Sequence, residues 1–226
     1  MKKILFIIYI ISAAFIIAAD KPNFVIIFTD DQGYGDLGCY GSTTIRSPRL
    51  DKLATEGTRF TDFYAQPVCG PSRSALLTGR YPHSHGAYRN NIELNRDEVT
   101  LARVLQRQGY ATGYAGKWHL DGEPKPGWVN PERAMGFADC RFMFNRGHWK
   151  KMEDTPSGPR IAARNKKGQP SYAVEGADEK SFTTDWLATK TIDFVNAHRN
   201  GPFCYMVSIP DPHGPNTVRA PYDTMF

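Results

Sequence analysis

The 226-residue sequence has no internal repeat and no low-complexity tract, which excludes a stacked array. It is long enough for one large domain with a sizeable core, or for part of something larger. It also lacks a dense basic block with interleaved aromatics. The formal net charge is +5, from 28 Lys and Arg against 23 Asp and Glu, which is modest for this length. No nucleic-acid partner is expected, and the positive balance suits an anionic small molecule or polymer. Past the first twenty residues, no segment is apolar enough to span a membrane. Cysteine is scarce. Cys39, Cys69, Cys140 and Cys204 are widely scattered and do not form a compact disulfide framework. What remains, 41% hydrophobic and 23% charged residues, is the composition of a soluble globular protein.

The opening "MKKILFIIYIISAAFIIAAD" places Lys2 and Lys3 before an apolar run to Ala19. That is the layout of a secretory signal peptide over residues 1–19, with a membrane anchor as the alternative. The expectation is export to the periplasm or the extracellular space, with no stable membrane span after signal removal.

Beyond the leader, "NFVIIFTDD" reads as a buried parallel-type strand from Asn23 to about Phe28, with Asp30 and Asp31 just past its end. Helices are expected from Ser47 and Pro48 to Gly57, from Ser72 to Thr78 with Gly79 as the stop, and over "TLARVLQRQG". "YATGYAGKWH" reads as a short strand, and Asp121 to about Lys180 as a long stretch rich in Gly, Pro and charge. In "TTDWLATKTIDFVNAHR", Leu187, Ala188, Thr191, Ile192 and Val195 suggest a helical stripe, followed by a strand from Phe203 to about Ile209. Alternating strands and helices imply an α/β fold with a mostly parallel sheet flanked by helices. In such sheets ligands gather outside the carboxyl ends of the strands. Three expected strands end in chemistry: Asp30 and Asp31, then Lys117 and His119, then His213.

Each of these has a plain structural reading: an exposed acidic turn, a hydrogen-bonded histidine, a proline-stiffened turn. Together they also describe a site. Paired carboxylates offset the charge of a hard cation, and "PVCGPSRSALLTGR" puts Cys69 at the mouth of a helix beside Arg73. Unpaired amides at that helix end, with a guanidinium that pH does not switch off, would stabilise an anionic nucleophile or a bound oxyanion.

The run Cys69-Gly70-Pro71-Ser72-Arg73, continued by Leu77, Thr78, Gly79 and Arg80, resembles the C-x-P-S-R-x-x-x-L-T-G-R signature of type I sulfatases. These belong to the alkaline-phosphatase-like superfamily. Asp30-Asp31, Gly116-Lys117-Trp118-His119 and Pro212-His213 follow the family's order, and the resemblance covers about Lys21 to Phe226. It implies that a maturation enzyme oxidises Cys69 to formylglycine. The hydrated aldehyde then attacks the sulfur of a sulfate ester, and its second hydroxyl allows sulfate to be ejected. It further implies Ca²⁺ held by Asp30, Asp31 and converted Cys69, with Arg73 holding the formylglycine. Lys117 and His213 would contact sulfate, His213 would protonate the leaving alcohol, and His119 would assist release of the sulfate.

The family's catalytic domain is longer than this chain. Its further calcium ligands, an Asp-Asn pair, and another sulfate-contacting lysine follow the match to His213. The resemblance therefore implies that residues 20–226 are the N-terminal part of a sulfatase catalytic domain, incomplete at the C-terminus. The basic stretch from Arg141 to Lys167 reads as a solvated loop, or as a wall attracting a sulfated glycan with Trp149 or Trp128 stacking on sugar. "HSHG" at His83 to Gly86 has metal-like spacing, but hard cations prefer oxygen. Phosphate or phosphonate ester hydrolysis, and a non-catalytic fragment that binds anionic glycans, are the alternative functions.

Overall fold

The computed structural model describes residues 21–122 and 127–225; the expected signal segment lies outside the described residues. The strands are β1 (Phe24–Asp30), β2 (Ala111–Lys117), β3 (Asp139–Phe144), β4 (Met152–Thr155), β5 (Gly158–Ile161) and β6 (Phe203–Pro212), with the longest apolar runs in β1 and β6. The main sheet has the order β1-β6-β2-β3, and every neighbouring pair in it is parallel. β4 and β5 form a separate antiparallel hairpin. The helices are α1 (Pro48–Glu56), α2 (Cys69–Thr78), α3 (Pro82–His85), α4 (Leu101–Arg107) and α5 (Thr183–His198). The expected α/β class with a mostly parallel sheet is the one observed.

Alternation along the inner strands divides the core between the two faces of the sheet. Tyr114 and Met206 join Leu77, Leu94, Trp118 and Met143 on one side, whereas Ala115, Tyr205 and Val207 join Trp186, Leu187 and Phe194 on the other. β6 lies between β1 and β2, so its apolar run from Phe203 to Val207 is buried throughout. β1 departs from the expectation of a fully buried strand. It is an outer strand, and Val25 and Ile27 remain 48% and 57% exposed while Ile26 and Phe28 pack on the core.

Other expectations are also corrected. α2 starts at Cys69 rather than Ser72. The buried residues of α5 are Thr183, Trp186, Leu187 and Phe194, while Ala188 and Ile192 face outward. The helix therefore turns its two large aromatics inward, where they bury more area than the smaller aliphatic set. The stretch after Asp121 contains β3, β4 and β5, and Lys150 within the basic segment is buried, so that segment is not simply a solvated loop.

One glycine is dictated by the sheet. Gly116 has φ +97°, and a Cβ there would lie 1.9 Å from the carbonyl oxygen of Ser208 on β6. Only glycine permits this close approach one residue before Lys117.

Candidate active site

β1, β2 and β6 run in the same direction, so their carboxyl ends deliver Asp30, Lys117 and the Asp211-Pro212-His213 segment to one rim of the sheet. The amino end of α2 brings Cys69 to the same place. The residue before it, Val68, has φ 59° and ψ 168°, a conformation that β-branched residues rarely adopt. The turn is braced by the Gly70 amide donating to Asn90 Oδ1 at 2.7 Å and the Ser72 hydroxyl donating to the Gln66 carbonyl at 2.6 Å.

Asp30 is the hub. Its buried carboxylate accepts from the Lys117 ammonium, and Arg73 Nη2 lies 3.5 Å from its other oxygen. Burial alone would raise the Asp30 carboxyl, but Arg73 and Lys117 outweigh burial and hold it below the usual carboxylate range. Arg73 has no exposure. Its Nη1 donates to the Lys117 carbonyl at 2.8 Å and also to the Ser208 hydroxyl, and its guanidinium lies 5.1 Å from the Phe28 ring centroid. The Tyr114 hydroxyl donates to the same Lys117 carbonyl at 2.6 Å. Arg73 and Tyr114 thus anchor the end of β2 from below.

Lys117 Nζ lies 4.0 Å from Cys69 Sγ and 2.9 Å from His148 Nε2. The Cys69 thiol is shifted upward: burial is the main cause and Asp30 adds to it, outweighing Lys117 and Arg73. Burial and Asp30 thus oppose the thiolate stabilisation that the helix end and Arg73 suggest at residue 69. All four cysteines are free.

Asp31 has φ 65°, and its Oδ2 lies 3.5 Å from His213 Nε2. One donor atom each from Asp30, Asp31 and Cys69 falls within 4.8 Å of the others, the only such trio of His, Cys, Asp or Glu among the described residues. The two carboxylates fit a hard cation; the sulfur does not, whereas an oxygen at residue 69 would. The His83 and His85 spacing makes no such cluster: His83 is exposed and stacks on Tyr81, while His85 is buried.

His119 follows β2 with φ 57°, and its Nδ1 is buried without a hydrogen-bond partner. Burial, together with Lys117, Arg73 and Arg146, lowers it from the ordinary 6.5 to about 4. Between those values the unfolded chain binds this proton and the folded chain does not, so stability rises with pH through the window. The melting temperature is expected to be lower at pH 5 than at pH 7, with a flatter dependence in His119→Gln. An unchanged slope in that variant would remove His119 as the cause.

Residues 22–226 match the family model described as Sulfatase. The chain belongs to the sulfatase family. N-acetylglucosamine-6-O-sulfatase of Bacteroides thetaiotaomicron is 32% identical over 200 residues, covering 85% of this chain and 31% of that protein. Arylsulfatase A of Bos taurus is 51% identical over 130 residues, covering 54% of this chain and 26% of that protein. Among solved structures, Ps i-CgsB in complex with k-i-k-neocarrahexaose is similar with a TM-score of 0.69 and 30% identity, covering 88% of this chain and 47% of that one. This sulfatase chain thus spans about a quarter to a third of the length of these two curated relatives.

Four residues around the candidate site, His148, Lys150, Thr184 and Asp211, carry no signal in the motif reading. The His148 ring stacks on that of His213, 3.6 Å between centroids and 13° apart. The buried Lys150 ammonium pairs with Asp211, whose other carboxylate oxygen accepts from the Thr184 hydroxyl at 2.7 Å. Residues 148 and 150 therefore grip residues 213 and 211. In the sequence His148 and Lys150 are only members of a basic run, and their partners are some sixty positions away.

Proposed function

We propose that this chain supplies the nucleophile and the sulfate-holding half of a sulfuric ester hydrolase that acts on a sulfated carbohydrate in an exported compartment. One observation carries the reading: Asp30, Asp31, Cys69, Lys117 and His213 from four separate parts of the sequence converge at one end of the parallel sheet. Two features support a glycan substrate. The relatives include an N-acetylglucosamine-6-O-sulfatase and a protein solved with k-i-k-neocarrahexaose, and the chain carries a positive net charge.

Asp30, Asp31 and an oxygen on residue 69 would hold Ca²⁺, which when bound supplies positive charge beside the sulfate oxygens. Conversion of Cys69 to formylglycine by a maturation enzyme supplies an aldehyde hydrate as nucleophile.

The remaining chemistry belongs to this chain's own side chains. Lys117 Nζ, 4.0 Å from Sγ, is placed to bind an oxygen of the transferring sulfate and offset its charge. Arg73 acts from behind, fixing the carboxylate of Asp30 and the end of β2. His213 Nε2 faces the acidic rim and is the proton donor to the leaving alcohol oxygen. His119, neutral at neutral pH and with Nδ1 free of hydrogen bonds, can accept a proton at its ring.

The test uses the protein expressed in full from its gene together with a maturation enzyme. Hydrolysis of sulfated monosaccharides is expected to exceed that of matched phosphate monoesters by at least about tenfold in kcat/KM. Chelation should abolish turnover and Ca²⁺ should restore it. Preference for phosphate or phosphonate esters would replace this reading, and binding without turnover would leave a glycan-binding protein.

A further inference from the structure

The segment from Asp211 to Arg219, which carries His213, is clipped to the body of the protein by groups outside the motifs. β6 runs parallel to β1 with Pro212 opposite Asp30, so His213 is the first residue past the paired strand end. Asp211 is held at both carboxylate oxygens: one accepts from the Lys150 ammonium, the other from the Thr184 hydroxyl at 2.7 Å. At the far end of the segment, Arg219 donates to the two carboxylate oxygens of Asp185 at 2.7 and 3.1 Å. Thr184 and Asp185 are consecutive residues in the first turn of α5, so one helix end fastens both ends of the segment.

The groups that meet at Asp211 are themselves tied together. Lys151 and Phe182 form an antiparallel bridge, flanked by the Met152 amide donating to the Ser181 carbonyl at 2.7 Å and the Thr183 amide donating to the Lys150 carbonyl at 3.3 Å. Lys150 and Thr184 therefore approach Asp211 from two stretches of chain already paired with each other. Lys150 is only 1% exposed, and burying an ammonium is costly. A buried ion pair adds little net stability over an apolar pair of similar volume, and its best-attested use is to fix one arrangement among several. Here the arrangement it fixes lies two residues further on.

We propose that Lys150, Asp211 and Thr184 are positioning residues for His213. They hold its backbone so that the ring stacks on His148 at 3.6 Å and turns Nε2 toward the acidic rim, 3.5 Å from Asp31. The ring's own hydrogen bond, from Nδ1 to the adjacent Gly214 carbonyl at 3.0 Å, moves with the segment and cannot set its direction alone. The proposal rests on the sulfate-ester reading above, in which His213 protonates the leaving alcohol oxygen, and deepens it.

The experiment compares wild type, Lys150→Met, Lys150→Arg and Thr184→Val in the matured protein expressed in full from its gene. Lys150 is changed rather than Asp211, because loss of the carboxylate would strand a buried ammonium. One substrate is a monosulfated hexose, whose alcohol oxygen needs a proton to leave. The other is para-nitrophenyl sulfate, whose phenolate leaves without one, so a displaced proton donor penalises only the first. Lys150→Met is expected to lower kcat/KM for the sulfated hexose roughly 30- to 100-fold and for the aryl sulfate no more than about threefold. Thr184→Val, which removes one hydrogen bond, should show the same selectivity at about five- to tenfold and covers the case in which Lys150→Met fails to fold. Lys150→Arg keeps the charge and should recover most of the activity. An equal fall on both esters marks general damage and overturns the assignment, as does unchanged activity on both.

A second readout is independent of turnover. In protein carrying isotopically labelled histidine, the His213 Cε1–H resonance, shifted by the ring current of the stacked His148, is expected to move toward its unstacked value in Lys150→Met and to stay in place in Lys150→Arg. An unmoved resonance in Lys150→Met overturns the assignment. A wild type that turns over no sulfate ester removes the functional reading alone, and the resonance still decides whether Lys150 sets the ring.

Discussion

Cys69→Ala is expected to reduce sulfate-ester turnover by at least about a thousandfold in the matured protein, with little change in the unfolding midpoint. The two halves of this result have separate causes. In the proposed mechanism residue 69 carries the nucleophile, close to Lys117 Nζ and to both carboxylates, and no neighbouring group replaces it. The thiol is half-buried and packs in neither hydrophobic cluster of the core, so its loss should cost no more than about 0.5–1 kcal/mol. Kinetics with the sulfated sugar and a urea melt of the same preparation separate the two. Mass spectrometry of the peptide spanning Gln66 to Arg73 adds a chemical check, because conversion of the wild-type cysteine changes its mass. Undiminished turnover in Cys69→Ala would end the nucleophile assignment, and an unmodified cysteine in an active wild-type protein would end the formylglycine mechanism.

Arg73→Ala should be the most destabilising substitution among the site residues, costing about 3–5 kcal/mol. Arg73 is fully buried and ties three strands at once: Asp30 at the end of β1, the Lys117 carbonyl of β2, and Ser208 of β6. Its removal leaves a large void beneath the site and takes one of two cations from a buried carboxylate. A loss of this size is a substantial share of the about 5–15 kcal/mol that holds a typical domain together. A strongly lowered urea midpoint is expected, with Arg73→Lys intermediate because it keeps the charge but not the planar fork. An unfolding free energy within about 0.5 kcal/mol of wild type would show that Arg73 is not a structural brace, leaving it only the role of offsetting charge at residue 69.

The basic run illustrates why some of the site was legible and some was not. Asp30, Lys117 and His213 each end an apolar run, and local pattern alone suffices to put them at strand ends. His148 and Lys150 sit in a stretch where glycine, proline and charge mask the short strands around them. What they do depends on partners at Lys117, Asp211 and His213, and sequence distance does not reveal such pairings. The stripe on α5 holds in part, for a related reason: Leu187 is buried and Val195 packs on the core, but Trp186 and Phe194 take the rest of the buried face and leave Ala188 and Ile192 outward.

By itself, the sequence determined the class of fold, the family signature around Cys69 and the set of residues that gather at the strand ends. These are local properties, set by apolar periodicity, helix punctuation and motif spacing. Only the tertiary structure decided the state of those residues. Burial and Asp30 push the Cys69 thiol upward against the pull of Lys117 and Arg73, Arg73 became a brace beneath the site, and a surface-like basic segment became the grip on His213. Desolvation and long-range charge pairing arise only when distant segments meet, so no local pattern encodes them.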